Sequence, residues 1–140
     1  MSANAAWEAL MTAHATLMKQ FQAEDIWGDV SIKEYDVLYT LSKCPVPVRL
    51  GDLNKNVLLS QPAMSRLVDR LADRGLIARE TDPADRRGLL LSLTAEGRAV
   101  QRQIGARHAR SVARAMTAEL SPADLRCLEE ICRKLADRKG

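Results

Sequence analysis

The sequence predicts a mainly α fold with one small β-wing. Apolar residues recur at intervals of three and four through most of the 140 residues, which is the helical period. The period changes only after Gly75, where IARET and LLLSL read as short strands. The stretch between them, DPADRRG, consists of turn formers and two arginines, so the strands form a hairpin. The aromatic residues Trp7, Phe21, Trp27, Tyr35 and Tyr39 all lie in the first third. The rest of any core must therefore come from Leu, Val, Ile, Met and Ala, a composition that favours helices.

Trp7, Leu10, Met11, His14, Leu17, Met18 and Phe21 share one face of an amphipathic helix over about residues 5–25, broken only by His14. Ser31 with Glu34 forms a capping box for a second helix that carries Tyr35, Leu38 and Leu41, and Pro45 and Pro47 stop it. A short helix over about residues 49–57 then leads through a tight turn to a longer helix opening at Ser60, which is a helix-turn-helix. Ser60 caps the second of these helices, and Pro62 lies in its first turn, where a missing amide hydrogen matters least. Met64, Leu67, Val68 and Leu71 face inward, leaving Gln61, Ser65, Arg66, Asp69 and Arg70 for solvent or a partner. Gly75 supplies the stop. Beyond the wing, Thr94 with Gly97 opens a long helix to about Met116, in which Val100, Ile104, His108, Val112 and Met116 form a row spaced by four. Ser121 and Pro122 open a last helix, expected to bury Leu125, Leu128, Cys132 and Leu135.

Length and composition narrow the function. A chain of 140 residues is the size of a single domain, expected to span 1–140. The net charge of +3 permits contact with a polyanion without requiring it. The N-terminus lacks the charged and apolar regions of a signal peptide, and no window reaches the ~20 apolar residues of a membrane span. Cys44, Cys127 and Cys132 fit no metal or disulfide framework, which points to a reducing cytoplasm. His14 and His108 are the only histidines, with no ligand cluster around them, so no metal is expected. There is no phosphate-binding glycine loop, zinc helix or nucleophile-base pair, so neither an enzyme nor a cofactor is expected.

One segment has the order of residues that DNA recognition needs. A helix that reads bases in the major groove presents short polar side chains near its N-terminus and longer cations behind them, and SQPAMSRLVDR has that order. Gln61, Ser65 and Arg66 can reach base edges, Arg70 suits a phosphate, and the free amides of the first turn suit another. Arg86 and Arg87 at the hairpin tip suit a narrow, electronegative minor groove. From Ser60 to Arg98, arginines 66, 70, 74, 79, 86, 87 and 98 nearly balance acids 69, 73, 80, 82, 85 and 96. Placement, not total charge, carries the reading. A winged-helix module used only for protein contact is the alternative, and there Arg87 would be dispensable.

The order of elements resembles the MarR family of bacterial transcription regulators. SRLVDRLADRGLIARETDPADRRGLLLSLTAEGR is similar to the family's recognition helix and wing, including Asp85, Arg86 and Arg87 followed by Leu93 and Thr94. One departure is Leu53-Asn54, where the family often has Leu-Ala. The resemblance implies that Arg87 enters the minor groove, Arg86 contacts the backbone and Asp85 orients the tip. It also implies a two-fold dimer with interlocking terminal helices, over about 5–26 and 95–138, around a winged helix-turn-helix lobe of about 31–93 with its wing at 77–93. The apolar stripes of the first, fifth and sixth helices agree, because a small lobe could not cover them all. Such a dimer would read a pseudo-palindrome with half-sites ~10 base pairs apart and would be more readily a repressor than an activator.

The resemblance further implies a switch. Similar proteins release DNA when a small phenolic or aromatic carboxylate binds, and Trp7, His14, Trp27 and Tyr35 could line such a site, with His14 or Tyr35 as its polar contact. Some relatives instead use a reactive cysteine near the start of the first helix, where this chain has none. A redox switch would have to work through Cys44, since Cys127 and Cys132 point roughly 140° apart on one helix.

Overall fold

A computed structural model describes residues 2–53 and 59–137. Its elements, in chain order, are α1 (Ser2–Gln22), α2 (Ile32–Ser42), β1 (Val48–Arg49), α3 (Leu50–Leu53), α4 (Gln61–Asp73), β2 (Ile77–Thr81), β3 (Leu89–Leu93), α5 (Ala95–Glu119) and α6 (Pro122–Ala136). They divide into two compact units, one of Glu24–Arg107 and one of Met1–Ala23 with His108–Gly140.

In the first unit α2 starts on a closed capping box. The Glu34 amide donates to Ser31 Oγ at 3.0 Å, and the Ser31 amide donates to Glu34 Oε1 at 2.9 Å. The core comprises Val37, Leu38 and Leu41 of α2, Leu53 of α3, Met64, Leu67, Val68 and Leu71 of α4, and Leu76, Ile77, Leu91 and Leu93 around the sheet. Each such burial is worth about 1.5–3 kcal/mol, so α4 is held by the inner face its periodicity predicts. Its C-terminus closes as a Schellman motif: Gly75 takes φ +76°, the Leu76 amide donates to Leu71 O at 2.9 Å, and the Gly75 amide to Ala72 O at 3.0 Å. Thr94 then starts α5, accepting the Gly97 amide on Oγ1 at 3.0 Å.

The sheet corrects the two-stranded expectation. It has three antiparallel strands in the order β1-β3-β2, with Val48 opposite Leu91, Arg49 opposite Leu90, and Ile77 to Thr81 opposite Leu93 to Leu89. A two-residue strand after Pro47 is too short to show alternation, so the strand signal is absent there. The helix expected over 49–57 begins instead at Leu50, and its expected part from 54 onward, including Asn54, lies outside the described residues.

In the second unit, α1 starts three residues earlier than expected and ends three earlier. Phe21 packs at its end with the His108 ring edge-on, centroids 5.2 Å apart. α6 has its own capping box between Ser121 and Asp124. Within the single chain the stripe of α6 is not covered: Leu128 and Leu135 are exposed, and Leu125 and Cys132 are half-buried. Periodicity shows that these residues share a face, but not what covers it. Ala3, Ala6, Trp7 and Leu10 of α1 line an apolar groove with Leu128, Ile131 and Leu135 of α6. Among the described residues no helix is long and apolar enough to cross a membrane.

Candidate nucleic-acid interface

The exposed face of α4 begins at Ser60, whose Oγ accepts the Ala63 amide at 3.3 Å, with Pro62 in the first turn. Gln61 and Arg66 are exposed, and Ser65 is half-exposed. The first-turn amides and the helix dipole make this end a weakly positive surface suited to an anion. Farther along, Asp69 is paired with Arg79 of β2 at 2.6 Å, which ties the helix to the wing. Arg70 is exposed but not wholly free, with its Nε 4.0 Å from Glu34 Oε2. The same carboxylate lies 3.7 Å from Arg74, whose guanidinium also donates to Asp29 O at 3.0 Å. Sequence reasoning missed this tether because Glu34 already has a local role as a cap.

The wing tip is two successive turns. The Asp85 amide donates to Asp82 O at 3.2 Å and the Gly88 amide to Asp85 O at 2.9 Å. Each aspartate also closes an Asx turn, Asp82 Oδ1 accepting the Ala84 amide at 2.9 Å and Asp85 Oδ1 the Arg87 amide at 3.1 Å. The Asp85 carboxyl is held below its ordinary range, first by the Arg87 amide and then by the guanidinium of Arg49. Arg49, on β1, is a residue sequence reasoning did not single out. Its Nε donates to Asp82 Oδ2 at 3.0 Å, and its Nη2 lies 2.9 Å from the same oxygen and 3.2 Å from Asp85 Oδ2.

Helix and wing flank one open cleft of about 310 Å³, whose lining includes Gln61, Ser65 and Asp69 of α4, Arg79 of β2, and Arg49, Arg87 and Gly88 around the wing. Thus Gln61, Ser65 and Arg87 come to one surface, with Arg86 exposed at the tip.

The sequence profile of the MarR family matches residues 30–89, from just before α2 to the start of β3. The multiple antibiotic resistance protein MarR of Salmonella typhimurium is 29% identical over 109 residues, spanning 76% of this chain and 74% of that protein. Sco3205, a MarR family transcriptional regulator from Streptomyces coelicolor solved in complex with DNA, superposes with a TM-score of 0.83. It is 27% identical, with 96% of this chain and 85% of that one covered. Residues 30–89 of this chain thus carry the MarR-family domain. A third structure, of Bordetella bronchiseptica BpsR, concerns regulation of DNA binding by 6-hydroxynicotinic acid. It gives a TM-score of 0.77 at 25% identity, covering 98% of this chain and all of that one, 100%.

The chain therefore has the winged-helix fold of MarR-family transcription regulators. Of the four aromatic and histidine residues singled out for a ligand, Trp27 and Tyr35 are buried together, ring centroids 5.6 Å apart. Tyr39 extends this row at 6.0 Å from Tyr35 and carries Lys43 Nζ 4.5 Å from its ring centre. Burial pushes the Tyr35 phenol up, partly offset by its hydrogen bond with Gln101. Trp7 and His14 lie two turns apart on α1 in the other unit, both exposed. Cys44 donates its thiol to Thr40 O at 3.3 Å, and all three cysteines are free.

Proposed function

We propose that this regulator binds a pseudo-palindromic operator as a cytoplasmic homodimer, acts as a repressor, and lets go when a small aromatic or phenolic ligand binds. The observation that carries the reading is the convergence of Gln61, Ser65 and Arg87 on one cleft between recognition helix and wing. Gln61, Ser65 and Arg66 read base edges in the major groove, while Ser60 and Pro62 set the helix start whose amides meet a phosphate. Arg70 and Arg86 hold the backbone, Asp85 orients the tip, and Arg87 enters the adjacent minor groove. Residues 1–140 act as one unit, with the winged lobe over about 31–93 and the terminal helices over about 5–26 and 95–138 pairing two copies. The uncovered apolar groove of α1 and α6 supports that pairing, since Trp7 is 61% exposed and Ile131 50%. The ligand is proposed to reach Trp7, His14, Trp27 and Tyr35, and regulation of BpsR by an aromatic acid supports its class.

The test is a gel shift with the intergenic duplex beside the protein's own gene. Wild type shifts it, more weakly as salt rises, because several phosphates are neutralised. Arg87→Ala folds and assembles normally yet loses about 5- to 150-fold in affinity, the equivalent of one groove contact. A stable monomer indifferent to duplex DNA at low ionic strength contradicts the proposal.

A further inference from the structure

We propose that Arg49 is a positioning residue for DNA recognition: it clamps the two turns of the wing tip together and so presents Arg86 and Arg87 to the duplex. This rests on the reading of Arg87 as a groove contact and adds the residue that aims it. Each tip aspartate divides its oxygens in the same way. Asp82 and Asp85 use Oδ1 for the amides of Ala84 and Arg87, and Oδ2 for the guanidinium of Arg49. The two turns share Asp85 and are closed by the Asp82 amide donating to Gly88 O at 3.0 Å; Arg49 adds a side-chain brace across both carboxylates that ties the tip to β1, which is itself paired to β3 through Leu90.

Gly88 supports this independently. Its backbone does not take positive φ, so the turn does not require glycine there. A Cβ at this position would lie 2.5 Å from Arg49 Nη2 and 2.8 Å from its Cζ. A side chain there would push the guanidinium aside, off the two carboxylates.

The clamp also settles the local charge. Among the described residues neither Arg86 nor Arg87 has an ion-pair partner, while Arg49 occupies both nearby carboxylates. With Arg49 in place the tip presents three cations against two carboxylates. Without it, Asp82 and Asp85 face Arg86 and Arg87 on equal terms, and an internal pair competes with DNA. Exposed ion pairs contribute little to global stability, so the effect falls on the order and charge of the tip rather than on folding.

The test has two arms. In the free protein, Arg49→Ala and Gly88→Ala leave the unfolding temperature unchanged but lower the 15N heteronuclear NOE of the Arg87 amide, whereas Arg49→Lys keeps part of it. On the intergenic duplex, Arg49→Ala and Gly88→Ala each weaken binding about 5- to 30-fold, and Arg49→Ala adds less than about twofold in an Arg87→Ala background. An unchanged Arg87 NOE overturns the clamp. Additive losses with a salt slope lower by about one overturn the positioning role and make Arg49 a direct phosphate contact. Wild-type binding by Arg87→Ala brings down the wing reading itself, and this proposal with it.

Discussion

Glu34 joins the start of α2 to the end of the recognition helix, and replacing it should separate its two roles. Its side chain is only 9% exposed. Alanine removes the acceptor for the Ser31 amide, a 2.9 Å bond worth about 1 kcal/mol. It also removes a buried methylene worth about 0.8 kcal/mol. The ion pairs with Arg74 at 3.7 Å and Arg70 at 4.0 Å involve partners 37% and 60% exposed. Together those pairs add roughly 0.5 kcal/mol. Glu34→Ala should therefore cost about 2 kcal/mol, whereas Glu34→Gln, which keeps an acceptor oxygen and the methylene, should cost only ~0.5 kcal/mol. At ~4 °C per kcal/mol for a chain of this size, alanine lowers Tm by about 8 °C. Thermal unfolding followed by circular dichroism at one protein concentration measures both variants. Equal losses from glutamine and alanine would refute the reasoning by making charge, not the cap, the dominant contribution.

Other outcomes follow from the same structure. Ile131→Glu, placed in the apolar groove of α1 and α6, should convert the proposed dimer to a monomer by light scattering while leaving helix content unchanged; a dimer that persists places the interface elsewhere. The Asp85 carboxyl should titrate below its ordinary value of 3.8 by NMR and move back toward it in Arg49→Ala. Because its folded value is depressed, the tip lock is present at neutral pH, above the unfolded value, and is lost as pH falls through the folded value. An Asp85 that titrates identically with and without Arg49 contradicts the ion pair.

The recognition helix and wing tip were legible because their signals are local. Ser60, Pro62 and Gly75 mark the ends of α4, its apolar residues recur at the helical period, and Asp-Pro-Ala-Asp with a terminal glycine is turn chemistry. The wing clamp was not legible, since Arg49 meets Asp82 across 33 residues of sequence and nothing in β1's two residues signals a strand. The tether of Arg70 and Arg74 to Glu34 was hidden for the same reason, as a long-range contact made by a residue whose capping role already accounted for it. The face of α6 was legible in period but not in its cover, because a stripe does not say whether that cover comes from the same chain. Trp27 and Tyr35 were singled out by residue type, and their ring contact at 5.6 Å is a tertiary one that residue type does not signal.

Combined footprinting on the bound intergenic duplex tests the central claim most directly. Dimethyl sulfate should find guanine N7 atoms protected in two major-groove patches about ten base pairs apart, and hydroxyl radicals should find protected minor grooves beside each patch. With Arg87→Ala the minor-groove protection should vanish while the major-groove patches remain. Protection of a single groove, or minor-groove protection that survives the loss of Arg87, contradicts a grip shared by α4 and the wing.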